Sequence, residues 1–140
     1  MLQYLRSTNS DSIISPQENL QSGSWVRCER PSDEEVSQLL TLGLDEDLIS
    51  DALDPHEVPR IEFDDEWTYL IARLPDTDDD FNDFTTPILF CINKDHIVTL
   101  SRDSLGRLWQ PFIDKVRIRT DRQVELLVAM VEAISTQYQR

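Results

Sequence analysis

Apolar residues recur along this chain with two periods, and the switches between them mark its elements. Leu2 to Arg6 and Ser12 to Ser15 are two short strand candidates around a polar Ser/Asn turn, and Ser24-Trp25-Val26-Arg27-Cys28-Glu29, opened by Gly23, is a fuller strand. Helical spacing then takes over. Ser32 and Glu35 form a capping box ahead of the apolar stripe Val36, Leu39 and Leu40, which Gly43 ends. Asp45 caps a second helix, with Leu44 and Ile49 as its hydrophobic staple, Leu48, Ile49, Ala52 and Leu53 facing inward and Pro55 as its stop. Period two returns in Arg60-Ile61-Glu62-Phe63, a turn at Asp64-Asp65-Glu66, and a strand from Trp67 to Leu74, which together make a hairpin. Past an acidic loop from Pro75 to Asp83, Thr85 to Asn93 and His96 to Leu100 form a further hairpin about Lys94-Asp95.

Leu105, Leu108, Trp109, Phe112, Ile113 and Val116 recur at helical spacing, with Pro111 predicting a kink or a fresh start. Thr120 and Gln123 read as a second capping box before the last helix. That helix is apolar on two faces: Val124, Leu127, Val128, Val131, Ile134 and Tyr138 form one, Leu126, Met130 and Ala133 the other. A helix apolar on two faces is buried on two sides. We expect the first face to cover this domain's sheet and the second to need a partner or a continuation of the chain. No glycine or proline stops the helix, so we expect a chain cut within a longer helix.

Composition narrows the function. At 140 residues the chain fits one domain with one core. Its 27 acidic and 13 basic side chains leave a net charge of −14, which repels nucleic acid and anionic lipid and attracts cations and basic surfaces. The longest apolar run, Leu126 to Val131, is too short to insert in a membrane. Cys28 and Cys91 lie in apolar strands as core residues, and with His56 and His96 far apart no zinc-ligand spacing exists.

Catalytic motifs fail one by one. Asp76 to Asn82 starts like an EF-hand, but Phe81 and Pro87 stand where the loop needs glycine and glutamate. Asp64-Asp65-Glu66 lies in a turn, where carboxylates are ordinary. Ser32 and Ser101 lack a histidine or cysteine placed to activate them, and three glycines rule out a phosphate-binding loop. The chain is not an enzyme on this reading; a hydrolase using scattered aspartates ranks last.

The run from Leu44 to Leu70 carries more information. Leu53-Asp54, then Pro59-Arg60-Ile61-Glu62-Phe63 and a hairpin, resembles the amino-terminal cytoplasmic domain of CorA-type magnesium and divalent-cation transporters. Thr86-Pro87-Ile88-Leu89 with Ile97 to Ser101 is similar to that family's next hairpin, and the last helix to the one leading into its stalk, so the resemblance spans residues 24 to 140. It implies an α+β fold, a mixed, largely antiparallel sheet with helices on both faces. It implies that residues 1–140 are one domain truncated before its own stalk and two membrane helices, on the cytoplasmic side of the cell membrane. The whole would be a homopentamer with Mg2+ held between subunits, and the isolated domain would need no cofactor. The family's paired acidic positions before the Pro-Arg step fall on Ser50 and Asp51, and a further acidic position falls near Thr136 or Gln137. Only Asp51 matches as a metal ligand. The alternatives are the same architecture in a zinc transporter, or a free-standing acidic interaction module.

Overall fold

A computed structural model describes residues 1–9, 13–77, 83–115 and 117–138. In chain order its elements are β1 (Leu2–Arg6), β2 (Ser15–Gln17), β3 (Ser24–Glu29), α1 (Asp33–Leu40), α2 (Glu46–Ala52), β4 (Arg60–Phe63), β5 (Thr68–Thr77), β6 (Asp83–Ile92), β7 (His96–Ser101), α3 (Gly106–Lys115) and α4 (Gln123–Tyr138). The strands form one sheet in the order β2-β1-β3-β7-β6-β5-β4. Its neighbours are antiparallel except β3 and β7, which run parallel from Ser24 opposite His96 to Glu29 opposite Ser101. This is the α+β fold with a mixed, largely antiparallel sheet that the sequence led us to expect.

Strand alternation builds two cores. Trp25, Ile88, Phe90 and Ile97 face α3 and α4, and Val26, Cys28, Leu89, Cys91, Val98 and Leu100 face α1 and α2. On the first face Trp25, Trp109 and Phe112 meet edge to face with centroids 5.2 to 5.9 Å apart, and Trp25 Nε1–H donates to Thr99 Oγ1 at 2.9 Å. Arg27 and Glu29 are buried together. The guanidinium donates twice to the carboxylate at 2.8 Å, and Glu29 Oε1 also accepts from Leu105 N–H, fixing the start of α3 over β3.

Local signals formed α1 and α2 as expected. Ser32 and Glu35 complete their capping box, Asp45 accepts from the amides of Asp47 and Leu48, and Leu44 and Ile49 are both buried. Five expectations need correction. The strand expected over Ser12 to Ser15 forms later, at Ser15–Gln17. Strands β5 and β6 run on into the acidic loop, to Thr77 and from Asp83; residues 78–82 of that loop lie outside the described residues. Helix α3 passes through Pro111 without a new start. Its one missing N–H is outweighed by Leu108, Trp109, Phe112 and Ile113, all buried against the sheet.

The two faces of α4 are exchanged over most of its length. Leu126 and Met130 are fully buried in the core, whereas Val124 and Val128 are 68% and 52% exposed; of the face expected inward, Ile134 is buried and Leu127 packs against the core. Both faces are apolar, so period alone could not rank them; the bulkier Leu and Met fill the space over the sheet. Thr120 does not cap α4. Leu126 N–H bonds to Arg122 O, so the helix starts at Gln123 with Arg122 ahead of it. The Thr120 hydroxyl is instead buried. It accepts from Ser7 N–H at 2.9 Å and has Gly23 O at 2.5 Å and Ser7 O at 3.1 Å for its proton. Beside it Gly23, at φ +81°, packs against Asp121, whose Cβ would lie 2.7 Å from any side chain added there. The loop before α4 is thus tied to the end of β1 and the start of β3.

Thr120→Val keeps the shape and removes the hydroxyl. It removes the hydroxyl's buried bonds with Ser7 and with Gly23 O and should destabilise the fold by about 2 kcal/mol. Urea denaturation reads this as a lower midpoint at unchanged slope. A wild-type midpoint would mean that water or a backbone shift replaces the bond.

Candidate functional site

The corner where α2 hands over to β4 holds the densest arrangement of charge. α2 ends at Ala52 against the core, leaving Asp51 on its outer side, 39% exposed. Asp54 then makes a turn, its Oδ1 accepting from His56 N–H at 2.9 Å. Arg73, on β5, clamps this turn to the sheet by donating to Glu57 O at 2.7 Å and Pro55 O at 3.0 Å. β4 then pairs with β5, Arg60 opposite Ile71 and Glu62 opposite Tyr69. Ile71 and Tyr69 belong to the core beneath α1 and α2, so Arg60 and Glu62 share the α2 face.

Three carboxylates therefore meet one guanidinium. Arg60 Nη2 donates to Asp51 Oδ2 at 2.5 Å, Nη1 bonds closely to Glu57 Oε1, and Nε lies 3.3 Å from Glu62 Oε1 without hydrogen-bond alignment. Arg60 is 28% exposed, Glu57 15% and Glu62 51%.

α2 is held at its other end by a second chain of bonds. Asp64 Oδ1 accepts from the amides of Glu66 and Trp67, and Oδ2 accepts from Tyr69 O–H at 2.8 Å. The same Tyr69 oxygen accepts from Asp45 N–H, the amide of the α2 cap. What burial Asp64 has pushes its carboxyl up, but the bonds from Trp67, Tyr69 and Glu66 win and hold it below the usual range. Burial above all, then the Asp64 bond, raises Tyr69, so its phenol stays a donor.

Of the sequence-derived candidates, Asp51 sits in this corner. Ser50, next to it, is exposed, and Thr136 donates to Glu132 O within α4, far along the chain from the corner. The carboxylates of Asp64-Asp65-Glu66 serve the turn, as expected. A cleft of about 480 Å³ opens beside that turn, lined by Asp65, Glu66, Asn93, Lys94 and Asp95, with Lys94 set among the acids. Cys28 and Cys91 are free and buried; burial first, then Glu35, pushes the Cys28 thiol up to about 12, and burial raises Cys91 well above a normal thiol. Neither is a thiolate at neutral pH.

Among the described residues no group of three His, Cys, Asp or Glu side chains is placed to hold a metal ion. Asp51, Glu57 and Glu62 point to a cation, but that cation is Arg60. Among the described residues of this corner Asp51 is a partly exposed carboxylate that belongs to no chelating set. Sequence reasoning used Pro59-Arg60 only as an alignment marker and missed Arg60 as the hub. The signals were present in the Glu57/Arg60 spacing and in the strand alternation that puts Glu62 beside Arg60.

The family model for CorA-like Mg2+ transporter proteins matches residues 21–140. The chain belongs to that family. A curated relative, the cobalt/magnesium transport protein CorA of Methanocaldococcus jannaschii, is 29% identical over 122 residues, covering 83% of this chain and 38% of the relative. Two solved structures from that organism share the fold. The soluble domain of CorA superposes with a TM-score of 0.78 at 22% identity, over 98% of this chain and 57% of that one. The complete CorA magnesium transporter gives 0.79 at 20%, over 100% and 46%. The full-length CmaX protein gives 0.72 at 13%, over 99% and 46%. The chain thus spans well under two thirds of the length of each.

Asp64 yields a pH test. Its carboxyl is depressed in the fold, so its stabilisation is complete above the unfolded value of about 3.9 and is lost as pH falls through the lower folded value. Asp64→Asn should be less stable than wild type at pH 7, and the gap should close on acidification. A gap constant from pH 7 to pH 2 would show that the charge does not matter.

Proposed function

We propose that this chain is the cytoplasmic regulatory domain of a CorA-like transporter of magnesium or a related divalent cation, acting through assembly rather than catalysis. The observation that carries the reading is the family match over residues 21–140 on a fold shared with the solved CorA domains. Among the described residues no helix is long and apolar enough to cross a membrane. On this reading the pore lies in parts of the full-length protein outside this sequence, and copies of the domain stand side by side in a homopentamer.

In that assembly Asp51 contributes one carboxylate to a divalent ion held between neighbours, and a neighbour or the stalk contributes the rest. A modest site suffices. Moving a pore from mostly open to mostly closed takes about 5.5 kcal/mol of differential binding in total. Five equivalent sites would each supply about 1.1 kcal/mol, less than a tenfold preference for the closed state. A single exposed carboxylate in an acidic field is on that scale, and low affinity lets the ion leave when its concentration falls. The net charge of −14 then favours separation of the lobes, over roughly a Debye length of about 8 Å.

The test is magnesium-dependent flux through the full-length protein. Asp51→Asn should raise the magnesium concentration needed for half closure by about fivefold while leaving the lobe folded. A dose dependence matching wild type at equal expression would remove Asp51 from the mechanism.

A further inference from the structure

The Asp51 corner has a built-in occupant. Arg60 donates to Asp51 at 2.5 Å, and any ion that approaches this carboxylate meets a guanidinium already bonded there. The partners of Arg60 differ in how firmly they are held. Glu57 is the least exposed of the three, bonds Nη1 closely, and has its backbone carbonyl pinned by Arg73. Glu62 lies on the same strand as Arg60, 3.3 Å from Nε. Asp51 alone comes from a helix, the end of α2, and although Glu62 is the more exposed of the two at 51%, only Asp51 lies on an element separate from the turn and strand that carry Arg60.

We propose that Arg60 is an exchangeable internal counter-ion for Asp51: it neutralises the carboxylate when divalent ions are scarce and yields it to them by staying on Glu57 and Glu62. The inference rests on the reading of Asp51 as an ion ligand and adds what regulates that ligand. Exchange is cheap because Arg60 is never left bare, keeping two carboxylates within reach when it releases the third. It is also a threshold device. The guanidinium is tethered at a fixed local concentration, so the free ion must exceed a set level before it takes over Asp51. Arg60 therefore sets the working concentration of the site. The fork geometry matters as well as the charge, since Nη1 can hold Glu57 while Nη2 lets Asp51 go.

The experiment uses this chain labelled with 15N, titrated with Mn2+ as a paramagnetic probe and with Mg2+ as the diamagnetic ion. In wild type, Mn2+ should broaden amides around Asp51 first, and Mg2+ should shift the Arg60 side-chain Nε–H resonance as the Asp51 bond is lost. Arg60→Gln should give the same broadening at an Mn2+ concentration about two- to fivefold lower, the weight of one partly exposed ion pair. Arg60→Lys keeps the charge but loses the fork, and should move the midpoint in the same direction by less. It separates a lost bond from a lost positive charge, and it serves in place of Arg60→Gln should the latter disturb the amides of β4. Broadening at Asp51 with an unchanged or higher midpoint in both variants would overturn the counter-ion role and leave Asp51 as a ligand. A midpoint lowered in Arg60→Gln but not in Arg60→Lys, with β4 intact, would reduce Arg60 to a general electrostatic term and overturn the exchange. Broadening that never centres on Asp51 in any variant would overturn the exchange in this domain, while the ligand reading, which calls on a neighbour's groups, stands or falls with the flux of Asp51→Asn.

Discussion

Strands β3, β7 and β6 stand side by side with apolar residues on both faces, and everything else in the domain answers to that. Burying apolar surface is worth about 25 cal/mol per Å², so a strand lined by Ile88, Leu89, Phe90 and Cys91 must be covered from above and below. Two helical layers are the minimum solution. The one parallel pair, β3 with β7, lies at the centre, where both layers reach it. Polar groups that the arrangement buries are met locally. Arg27 and Glu29 pair and take the amide of Leu105 just before α3, Thr99 accepts from Trp25, and Thr120 serves the end of β1 and the start of β3 at once. The Glu29 and Thr120 contacts also tie the lead-in loops of α3 and α4 to the sheet, so there satisfying the backbone and placing the helices are the same act.

The layers thin toward β4, and that places the candidate site. On the α3/α4 face no described residue covers the edge, so Ile61 and Phe63 stay 60% and 74% exposed although their alternation is that of a core strand. On the opposite face the end of α2 reaches only far enough to bring Asp51 over Arg60. Half-buried at an edge, the carboxylates of Asp51, Glu57 and Glu62 are close enough to share a cation and wet enough to exchange it. Deeper in the sheet the same groups would resemble Arg27 and Glu29, locked bidentate and closed to any ion.

What could be read from the sequence was what depends on neighbours in the chain. The Ser32–Glu35 box, the Asp45 cap, the Leu44–Ile49 staple and the Asp64 turn are all settled within about five residues, and all formed. The family resemblance over residues 24 to 140 agreed with the match that spans 21–140. Failures came where a distant group outbid a local one. Thr120 has the sequence of a capping residue, but Ser7 and Gly23, over 90 residues away, use its hydroxyl in the interior. The faces of α4 were exchanged because both are apolar and only the shape of the space over the sheet ranks Leu126 and Met130 above Val124 and Val128. The role of Arg60 was hidden for the same reason: Asp51 lies nine residues before it on another element, and only the clamped turn between them brings the two together.

An acidic domain that relies on bound cations faces a conflict between attraction and selectivity. With 27 acids against 13 bases, and with Arg27, Arg60 and Arg119 each committed to carboxylates in this chain, the domain carries a strong net negative charge that attracts cations. Such a field concentrates every cation, potassium included, and discriminates among them little. Discrimination needs a carboxylate that a monovalent ion cannot hold but a divalent ion can. A guanidinium already in place provides it, since displacing a hydrogen-bonded cation from Asp51 takes more than the diffuse attraction a single charge receives. Asp51, Glu57 and Glu62 with Arg60 still carry two uncompensated negative charges, so the corner keeps its pull while Asp51 stays guarded. On the proposed reading, affinity is kept low by the guard and response is kept selective by it, which a bare cluster of acids on the same edge would not achieve.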